Sequence, residues 1–425
     1  MIAARNDSPE SWHTPVPESH PAARLLSASA VRERCAAIMA VAERGQTRHL
    51  AFRKERLEAT AAYVADTIRL RYPALDVPYH SRWRHFEAGG IDRFGAIAAN
   101  LPGDSAERAR ARIDLAITSV LLDAGAGPSW RFHDQATDSM LARSEGLAVA
   151  SLRLFAAGAF SSRTDAPFAA DTKALAALET STLAKGFQVS ADNPLVGLDG
   201  RAALLRRLGT VASATPVVFG KPARLGNLYD YFLTHAPKGS ISAEFLVATL
   251  LRALGPIWPS RLALDGVPLG DTWRHPAARA ADPTDPTRGY VPFHKLTQWL
   301  AYSLLEPLEE AGIVVTGVDA LTGLPEYRNG GLMLDLGVLE PIDADFLRRT
   351  HNVDDEAIVE WRALTVIALD RIAALVREIL GVHVQAFPLA RVLEGGTWAA
   401  GRRIAAERRE GGNPPLSITS DGTVF

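Results

Sequence analysis

Apolar side chains recur at spacings of three and four residues along most of this chain, which is the period of an amphipathic α-helix. Gly45, Gly312 and Gly381 each follow one of these segments directly, where a glycine in the left-handed conformation is expected to end a helix. The pattern therefore predicts a largely helical chain, with helices at about residues 29–44, 47–71, 106–123, 142–160, 242–254, 293–311 and 355–380.

Strand patterns are few and short by comparison. Gly312–Thr316 is rich in β-branched residues, Leu262–Val267 surrounds an Asp-Gly turn, and Ile418–Val424 surrounds a second Asp-Gly turn. The fold class predicted from these patterns is mainly α with a few short β hairpins.

The composition of the chain does not change at the Pro- and Gly-rich stretches that look like linkers. Residues 1–23 are polar and interrupted by prolines, so we expect a flexible N-terminal arm. Residues 24–425 are expected to form one helical domain, either as a single body or as two lobes that meet near residues 161–290.

Composition and charge narrow the classes of function. With 47% hydrophobic residues over 425 positions, the chain can bury a sizeable core. Its net charge of −2 gives no basic field that would favour nucleic acid or an anionic membrane. The most apolar stretch, residues 147–160, contains Arg153 and is shorter than the ~20 residues that a membrane span needs. We therefore expect a protein that binds neither nucleic acid nor membrane.

The chain has a single cysteine, Cys35, on the apolar side of the first predicted helix. One cysteine cannot form an intramolecular disulfide or a Cys-rich zinc site. Because Cys35 lies on the apolar side of the helix, a buried structural thiol is expected. The N-terminus lacks the charged start and apolar run of a signal peptide. A cytoplasmic location fits these features.

Three islands of polar residues interrupt the apolar, helix-forming sequence of the C-terminal half. They are Phe293–Gln298, Leu321–Arg328 and Glu360–Arg362. Burying an ionisable group is costly unless it is paired or hydrogen-bonded, so repeated acid, base and amide groups in core-type surroundings indicate a lined cavity. The three islands are the leading candidate for a functional site.

The glutamates of the islands suit hydrolysis of an N-glycosidic bond. That reaction passes through an oxocarbenium-like transition state, which needs a carboxylate near the anomeric carbon and a proton donor near the departing nitrogen. Glu326 or Glu360 can supply the carboxylate, and Lys295 or Tyr327 can supply the proton. These four are the candidate catalytic residues.

Other residues of the islands are candidates for substrate binding. Arg328 and Arg362 can orient the carboxylates or bind the sugar, while Trp361 or Phe293 can stack on a leaving group. The alternative is structural, because the two glutamates and two arginines can form one buried ion-pair network that braces a helix junction.

A second polar cluster lies upstream, at Pro78–Glu87. Arg82 and Arg84 supply planar donors, Trp83 an aromatic face and His85 a further polar group, which suits an anionic or ribose-bearing ligand. The two histidines of the cluster are five residues apart and would not share a helix face, so no metal is expected there. A packed surface loop is the alternative interpretation.

Asp114 and Asp123 are also unusual, because both lie in an apolar predicted helix. Asp114 either pairs with an arginine such as Arg143 or Arg153, or faces a cavity. The sequence leaves both options open.

Several longer blocks are shared with a known family. They are Ser81–Glu87, Leu121–Gly127, Arg143–Ala148, Asp192–Gly197, Pro325–Gly331, Leu393–Gly401 and Ser420–Phe425. On these blocks nearly the whole chain resembles the uracil-catabolism protein four family of bacteria and fungi, a domain of unknown function. The resemblance implies small-molecule catabolism, in a pyrimidine breakdown route that opens the uracil nucleotide ring to a ribosylurea-type intermediate.

The three islands also resemble consecutive motifs of the queuosine salvage proteins, which are queuosine-nucleotide N-glycohydrolases. The order and approximate spacing of the motifs agree. The resemblance implies a helical, DNA-glycosylase-like core and hydrolysis, without a cofactor, of a bond between a base and ribose 5-phosphate. It carries functional roles only to Lys295, Gln298, Glu326, Tyr327, Arg328, Glu360 and Arg362.

The chain departs from the queuosine salvage proteins at two places. Glu326 stands where that family has an aspartate, and Asn329-Gly330 stands where it has an apolar residue and Pro-Gln. Because the longer carboxylate reaches a methylene further, a different leaving group is expected.

These features together predict an N-ribosyl hydrolase, without metal or cofactor, that converts a ribosylurea or its 5-phosphate into urea and a ribose product. Its partner would be a small ribosyl or nucleotide-derived substrate, and a homo-oligomer is compatible with the sequence. Two alternatives stay open. One is a metal-dependent amidohydrolase that opens a ureide through His80 and His85, and the other is a non-catalytic binding or scaffold subunit of the uracil-degradation pathway.

Overall fold

The computed structural model describes residues 16–17, 19–101, 103–258, 262–279 and 282–419. Helices account for 55% of the structure, which confirms the mainly α class. They are α1 (Ala28–Glu43), α2 (Leu57–Arg71), α3 (Arg82–Phe86), α4 (Arg93–Ala98), α5 (Ser105–Leu121), α6 (Arg143–Ala156), α7 (Thr172–Ala176), α8 (Thr180–Gly186), α9 (Leu198–Ser213), α10 (Pro216–Phe219), α11 (Leu228–His235), α12 (Ala243–Leu254), α13 (Lys295–Glu310), α14 (Tyr327–Asp335), α15 (Glu356–Leu380), α16 (Leu389–Arg391) and α17 (Trp398–Arg408).

The strands are short and occur in pairs. They are β1 (Leu50–Phe52), β2 (Phe132–Asp134), β3 (Ser139–Leu141), β4 (Ser240–Ser242), β5 (Ala263–Leu264), β6 (Val267–Pro268), β7 (Thr272–Arg274), β8 (Tyr290–Pro292), β9 (Val314–Thr316), β10 (Leu339–Pro341), β11 (Thr350–His351) and β12 (Ser417–Ile418).

Strand pairing departs from the expected hairpins. The pair β5–β6 is the antiparallel hairpin predicted around Asp265-Gly266, and β2–β3 and β7–β8 are antiparallel pairs of neighbouring strands that the sequence patterns did not indicate. By contrast, β1–β10 is an antiparallel pair of distant segments, and β4–β9 and β11–β12 are parallel. The expectation of hairpins alone is wrong, because these three pairs join parts of the chain that lie far apart in sequence.

Six of the predicted helices are confirmed as α1, α5, α6, α12, α13 and α15. Gly45, Gly312 and Gly381 follow their helices with φ angles of 67°, 88° and 68°, as left-handed caps require. The predicted helix at 47–71 is wrong in its first part, because Leu50–Phe52 pairs with β10 and α2 begins only at Leu57. A tertiary partner overrides the local helical pattern there.

Helices α14 and α17 are not predicted by the apolar period, because glycines interrupt it. A Cβ on Gly330 would lie 2.1 Å from the indole of Trp361, and a Cβ on Gly401 would lie 2.2 Å from the carbonyl oxygen of Arg328. These glycines therefore allow α14 to pack closely against α15 and α17, which is a requirement of the tertiary structure rather than of helical periodicity.

Helices α13 and α15 lie at the centre of the fold. Helix α15 packs against α1, α2 and α14, while α13 packs against α5 and α12. Within the described residues, the buried apolar side chains form one contiguous cluster from Val16 to Ile418. Cys35 belongs to this cluster, and burial raises the pKa of its thiol, as expected of a structural cysteine. The division of the chain into one body or two lobes stays a prediction.

Three predictions fall partly or wholly on residues that lie outside the described ranges. One is the strand pattern at Ile418–Val424, of which only residues 418–419 are described. The expected N-terminal arm falls largely on residues 1–15, and the block Ser420–Phe425 lies beyond the last described residue. Of the described helices, none is long and apolar enough to span a bilayer.

A π-helical turn, Val392–Thr397, connects α16 to α17. A Cβ on Gly395 would lie 2.9 Å from Val77, and a Cβ on Gly396 would lie 2.7 Å from Val64, so only glycine allows this approach without rearrangement. Such turns are rare and occur frequently at functional sites. Here the turn places the carboxylate of Glu394 in the interior.

Candidate active site

Lys295, from the first island, is the first residue of α13. Its side chain interacts electrostatically with carboxylates from other parts of the chain. Burial lowers the pKa of the Lys295 amine, while the charges of Glu326 and Asp123 oppose that shift. The structure therefore brings the first and second islands together and adds Asp123, which lies just after α5. Lys295, Glu326 and Asp123, with the Arg82 partner of Asp123, are called the central site below.

Asp271 fixes the start of α13. Its Oδ2 accepts a 2.9 Å hydrogen bond from the backbone nitrogen of Lys295, and its two oxygens each accept a 2.8 Å hydrogen bond from Arg362. Burial alone would raise the pKa of the Asp271 carboxyl, but Arg362 and the other hydrogen bonds hold it well below its usual range. The guanidinium of Arg362 also lies 4.0 Å from the ring centre of Phe293. The third island thus positions the first through Asp271.

Glu326 is the N-cap of α14. Its Oε2 accepts a 2.7 Å hydrogen bond from the backbone nitrogen of Arg328, and its Oε1 accepts one of the same length from that of Asn329. Asn329 in turn donates to the carbonyl of Leu324 at 3.0 Å and accepts from Thr397 at 2.8 Å. The Glu326 carboxylate is therefore held in one orientation at the positive end of a helix.

Tyr327 and Arg328 are tied to the C-terminal segment. The hydroxyl of Tyr327 donates to the carbonyl of Ile418 at 3.1 Å, and burial raises its pKa to about 12. Nη1 of Arg328 donates to the carbonyl of Gly412 at 2.8 Å. Tyr327 therefore keeps its proton at neutral pH.

Arg82 and Asp123 form a buried ion pair with unused hydrogen-bonding atoms. Nη1 of Arg82 lies 2.9 Å from Oδ2 of Asp123, and its Nε donates to Ser119 at 2.7 Å. Among the described residues, Nη2 of Arg82 and Oδ1 of Asp123 are buried without a hydrogen-bond partner. A donor and an acceptor of one ion pair are thus left unsatisfied in the interior, which is costly and uncommon in folded proteins.

Two tryptophans enclose the two histidines of the upstream cluster. The ring of Trp299 lies 4.6 Å from that of His80 and 5.6 Å from that of His85, and Trp398 lies 5.6 Å and 5.7 Å from the same two rings. Nδ1 of His80 is 2.7 Å from Oε2 of Glu394. His85 lies beside Arg82, and burial together with that charge lowers the pKa of His85 to about 4. His85 is therefore neutral at physiological pH.

An open cleft of about 570 Å³ leads from the surface to His85. Its walls include Glu145, Glu394, Trp398 and Arg402. The volume is in the range of small-molecule sites. His85 thus lines the cleft on one side and lies beside Arg82 of the central site on the other.

Trp83 and Arg84 occupy different environments, although they are neighbours in sequence. The indole of Trp83 is buried and donates to the carbonyl of Ser303 at 2.8 Å. Arg84 lines the cleft and donates to Glu306 at 2.8 Å. Of the four predicted binding residues in this cluster, Arg82, Arg84 and His85 lie at the cleft or the central site, and the Trp83 indole belongs to the core.

Glu360 and Trp361 are engaged by the surrounding fold. The carboxylate of Glu360 accepts hydrogen bonds from the backbone nitrogens of His49 at 3.1 Å and Leu50 at 2.8 Å, and it lies 3.5 Å from His275. Trp361 donates to the carbonyl of Gly330 at 3.2 Å. A catalytic role for Glu360 stays a prediction.

Two of the four residues of the alternative ion-pair network have strong partners outside it. Arg362 pairs with Asp271, and Glu360 holds backbone amides of β1 and the residue before it. The helix junction is braced by separate contacts, each with its own partner.

No group of three or more His, Cys, Asp or Glu side chains in the described ranges is arranged to hold a metal ion. His80 is bonded to Glu394, and Arg82 is the charged neighbour of His85.

Sequence reasoning missed several residues of the site, although signals for them existed. Asp123 was singled out as unusual in its apolar predicted helix but was given no role in the site, and Glu394 stands in a block shared with the resembling family. Asp271 had no such signal, because its role depends on an arginine 91 positions away in sequence. Asp114 forms an ion pair with an arginine, which was one of the two predicted options. Its partner is Arg224, at 2.6 Å, rather than Arg143 or Arg153.

The fold and site define a mainly α protein with a buried acid–base centre that adjoins a cleft through His85. The chain belongs to the family described as "Protein of unknown function (DUF1688)", whose profile matches residues 24–425.

Two curated relatives are similar along nearly their entire length. "Uracil catabolism protein 4" of Lachancea kluyveri is 37% identical over 438 aligned residues, which cover 96% of this chain and 99% of the relative. "Protein urg3" of Schizosaccharomyces pombe is 38% identical over 416 residues, which cover 95% and 98%. The predicted membership of the uracil-catabolism protein four family is thereby confirmed, while the resemblance to queuosine salvage proteins stays a prediction.

Proposed function

We propose that this protein acts in uracil breakdown as an N-ribosyl hydrolase, which cleaves a ribosylurea or its 5-phosphate into urea and ribose or ribose 5-phosphate. The name of the Lachancea relative supports the pathway. The resemblance of the three islands to N-glycohydrolases supports the type of reaction.

The observation that carries the proposal is the composition of the central site. The buried amine of Lys295 interacts electrostatically with two carboxylates, those of Glu326 and Asp123. Asp123 also forms an ion pair with Arg82. The unused Nη2 of Arg82 and Oδ1 of Asp123 are a donor and an acceptor of the same ion pair. A ureide offers the complement, because its carbonyl accepts hydrogen bonds and its adjacent NH₂ group donates them.

The roles of the side chains follow from their chemistry. The carboxylate of Glu326, fixed by two backbone hydrogen bonds, stabilises the positive charge that develops at the anomeric carbon and holds the attacking water. The lowered pKa of Lys295 favours transfer of its proton to the departing nitrogen. Water adds its hydroxyl to the anomeric carbon, and its remaining proton restores the lysine through the carboxylate.

A labelled substrate tests the proposal directly. Purified protein is incubated with ribosylurea and with ribosylurea 5-phosphate that carry an isotope label at the ureide carbon, and the labelled product is identified by NMR. Glycosidic cleavage leaves the label in urea, which we expect. Label in bicarbonate, with loss of activity in a chelator, would support the amidohydrolase alternative instead. Substrate that binds and stays intact would support a binding or scaffold subunit.

A further inference from the structure

Three arginines lie in or beside the cleft, and none of them is used for bond cleavage in the proposed function. Arg143 and Arg402 line the cleft. Burial lowers the pKa of Arg328, and the charges of Arg402 and Arg143 lower it further, although Glu326 and Glu145 oppose the shift. The guanidinium groups of Arg402 and Arg143 therefore both repel that of Arg328. Arg143, Arg328 and Arg402 are called the arginine cluster below.

One turn of the C-terminal segment holds two of these arginines next to each other. Nη2 of Arg143 donates to the carbonyl of Gly411 at 3.3 Å, and Nη1 of Arg328 donates to the carbonyl of Gly412 at 2.8 Å. Both glycines have left-handed backbones, with φ of 71° and 60°. Consecutive carbonyls therefore fix two guanidinium groups in adjacent positions, each with further N–H donors available for a ligand.

The backbone at Arg143 is itself strained. Its φ is 53°, in the left-handed region, although it is the first residue of α6 and carries a long side chain. Left-handed conformations of residues other than glycine are uncommon and cluster at ligand-binding and active sites. Arg143 is exposed, so packing in the core does not explain its strained backbone. A role of its guanidinium group in ligand binding does explain it.

The charges of the arginine cluster are only partly paired with acids. Arg402 is paired with Glu145, and Glu326 acts on Arg328 from the central site. Arg143 donates to a neutral carbonyl. Arg143 therefore has no carboxylate partner among the described residues, and an anion bound beside it would relieve its repulsion with Arg328.

We propose that the arginine cluster is the binding site for the phosphate of a phosphorylated ribosyl substrate. This inference rests on the proposed function, because it places the phosphate at the cleft mouth and the ureide at the Arg82–Asp123 pair. Arginine suits this task, since its planar fork of donors matches phosphate oxygens in pairs. The substrate is then ribosylurea 5-phosphate rather than ribosylurea.

Direct binding tests the site without any need for turnover. Ribose 5-phosphate, inorganic phosphate and ribose are titrated into the intact protein by calorimetry. We expect ribose 5-phosphate to bind more tightly than inorganic phosphate, and ribose to give no measurable heat in the same range. Equal binding of phosphate and ribose 5-phosphate would mean a site for a free anion, and would overturn the proposed substrate class.

Two variants of one residue separate binding from folding. Arg143→Ala should weaken ribose 5-phosphate binding by about tenfold or more, as expected for loss of a charge-assisted contact. Arg143→Gly should weaken it equally while folding at least as well as the wild type, because glycine tolerates the left-handed backbone. Arg348→Ala, which removes an exposed arginine paired with Asp345, is the matched control and should bind normally.

The outcomes distinguish this inference from the proposed function. Binding that depends on Arg143, together with failure to release urea, would uphold the phosphate site and contradict the hydrolase. Urea release from both substrates with equal kcat/KM, together with unchanged binding by Arg143→Gly, would uphold the hydrolase and overturn the phosphate site.

Discussion

The guanidinium of Arg362 and the carboxylate of Asp271 form an ion pair through two hydrogen bonds of 2.8 Å each. The same carboxylate accepts a hydrogen bond from the backbone nitrogen of Lys295. A residue of the third island therefore positions the first turn of α13 through Asp271.

Breaking this pair should destabilise the protein. Arg362→Leu leaves Asp271 largely buried and unpaired, which typically costs about 3–5 kcal/mol in the free energy of unfolding. Adding Asp271→Asn to that variant should recover part of the loss, because the amide oxygen still accepts from Lys295 and no unpaired charge remains. Urea unfolding curves of both variants measure the difference. Equal destabilisation of the single and double variants would contradict this account.

Glu326→Gln should remove turnover while preserving the fold. The neutral side chain no longer stabilises a developing positive charge, so kcat on ribosylurea 5-phosphate should fall by about 100-fold or more. The helix cap loses one of two acceptors, which should cost about 1 kcal/mol of stability. Rate measurements and thermal unfolding check the two expectations. Glu340→Gln, at an exposed ion pair with Arg53, is the control that should keep full activity. A fully active Glu326→Gln variant would remove Glu326 from the mechanism.

His85 should make stability depend on pH between about 6.5 and 4. Burial, with the Arg82 charge added, lowers the pKa of His85 to about 4 in the folded state, although the charges of Asp123 and Glu145 oppose the shift. The unfolded chain has a His pKa of about 6.5 and binds the proton first as pH falls, so stability falls with pH across this window, by about 3 kcal/mol in total. Below pH 4 this contribution stays constant.

Replacing the histidine isolates that effect. His85→Gln should flatten the curve of unfolding free energy against pH between 6.5 and 4 relative to the wild type. His133→Gln is the control, because His133 is half-exposed and pairs only with the exposed Asp138. A variant with an unchanged slope would show that another group is responsible.

Gln298→Met tests whether the side-chain amide of Gln298, whose nitrogen has no hydrogen-bond partner, binds the ligand. Nε2 of Gln298 is buried without a hydrogen-bond partner, and its Oε1 makes only a 3.4 Å contact with the backbone nitrogen of Thr322. Methionine fills the same space without the amide, so stability should be unchanged or raised by up to about 1 kcal/mol. KM should rise by about tenfold if the amide binds substrate.

The control for this variant is another buried, unsatisfied polar atom. Oγ1 of Thr249, on α12, also lacks a partner. Thr249→Val should leave KM unchanged and stability equal or higher. If both variants keep the wild-type KM, Gln298 has no part in binding.

Helical periodicity predicted most of the long helices, because each of them buries one apolar stripe that local sequence records. The short elements were harder. Leu50–Phe52 has a helical pattern and yet forms a strand, because Leu339–Pro341 pairs with it. Helix α14 was hidden by Gly330, whose absent side chain makes room for Trp361.

The candidate site also contains some residues that the sequence indicated and others that it did not. Lys295, Glu326 and Arg82 stood out in the sequence, because charged residues in apolar surroundings need partners or a ligand. Asp271 and the adjacent positions of Arg143 and Arg328 did not stand out, since each depends on contacts between distant segments.

By itself, then, the sequence determined the helical class and the residue types available for chemistry, because side-chain periodicity and polarity are local properties. Only the tertiary structure decided which carboxylate acts on Lys295, which arginines meet at the cleft and which glutamate braces a strand. Those relationships depend on the packing of helices that are far apart along the chain, and no local pattern contains that information.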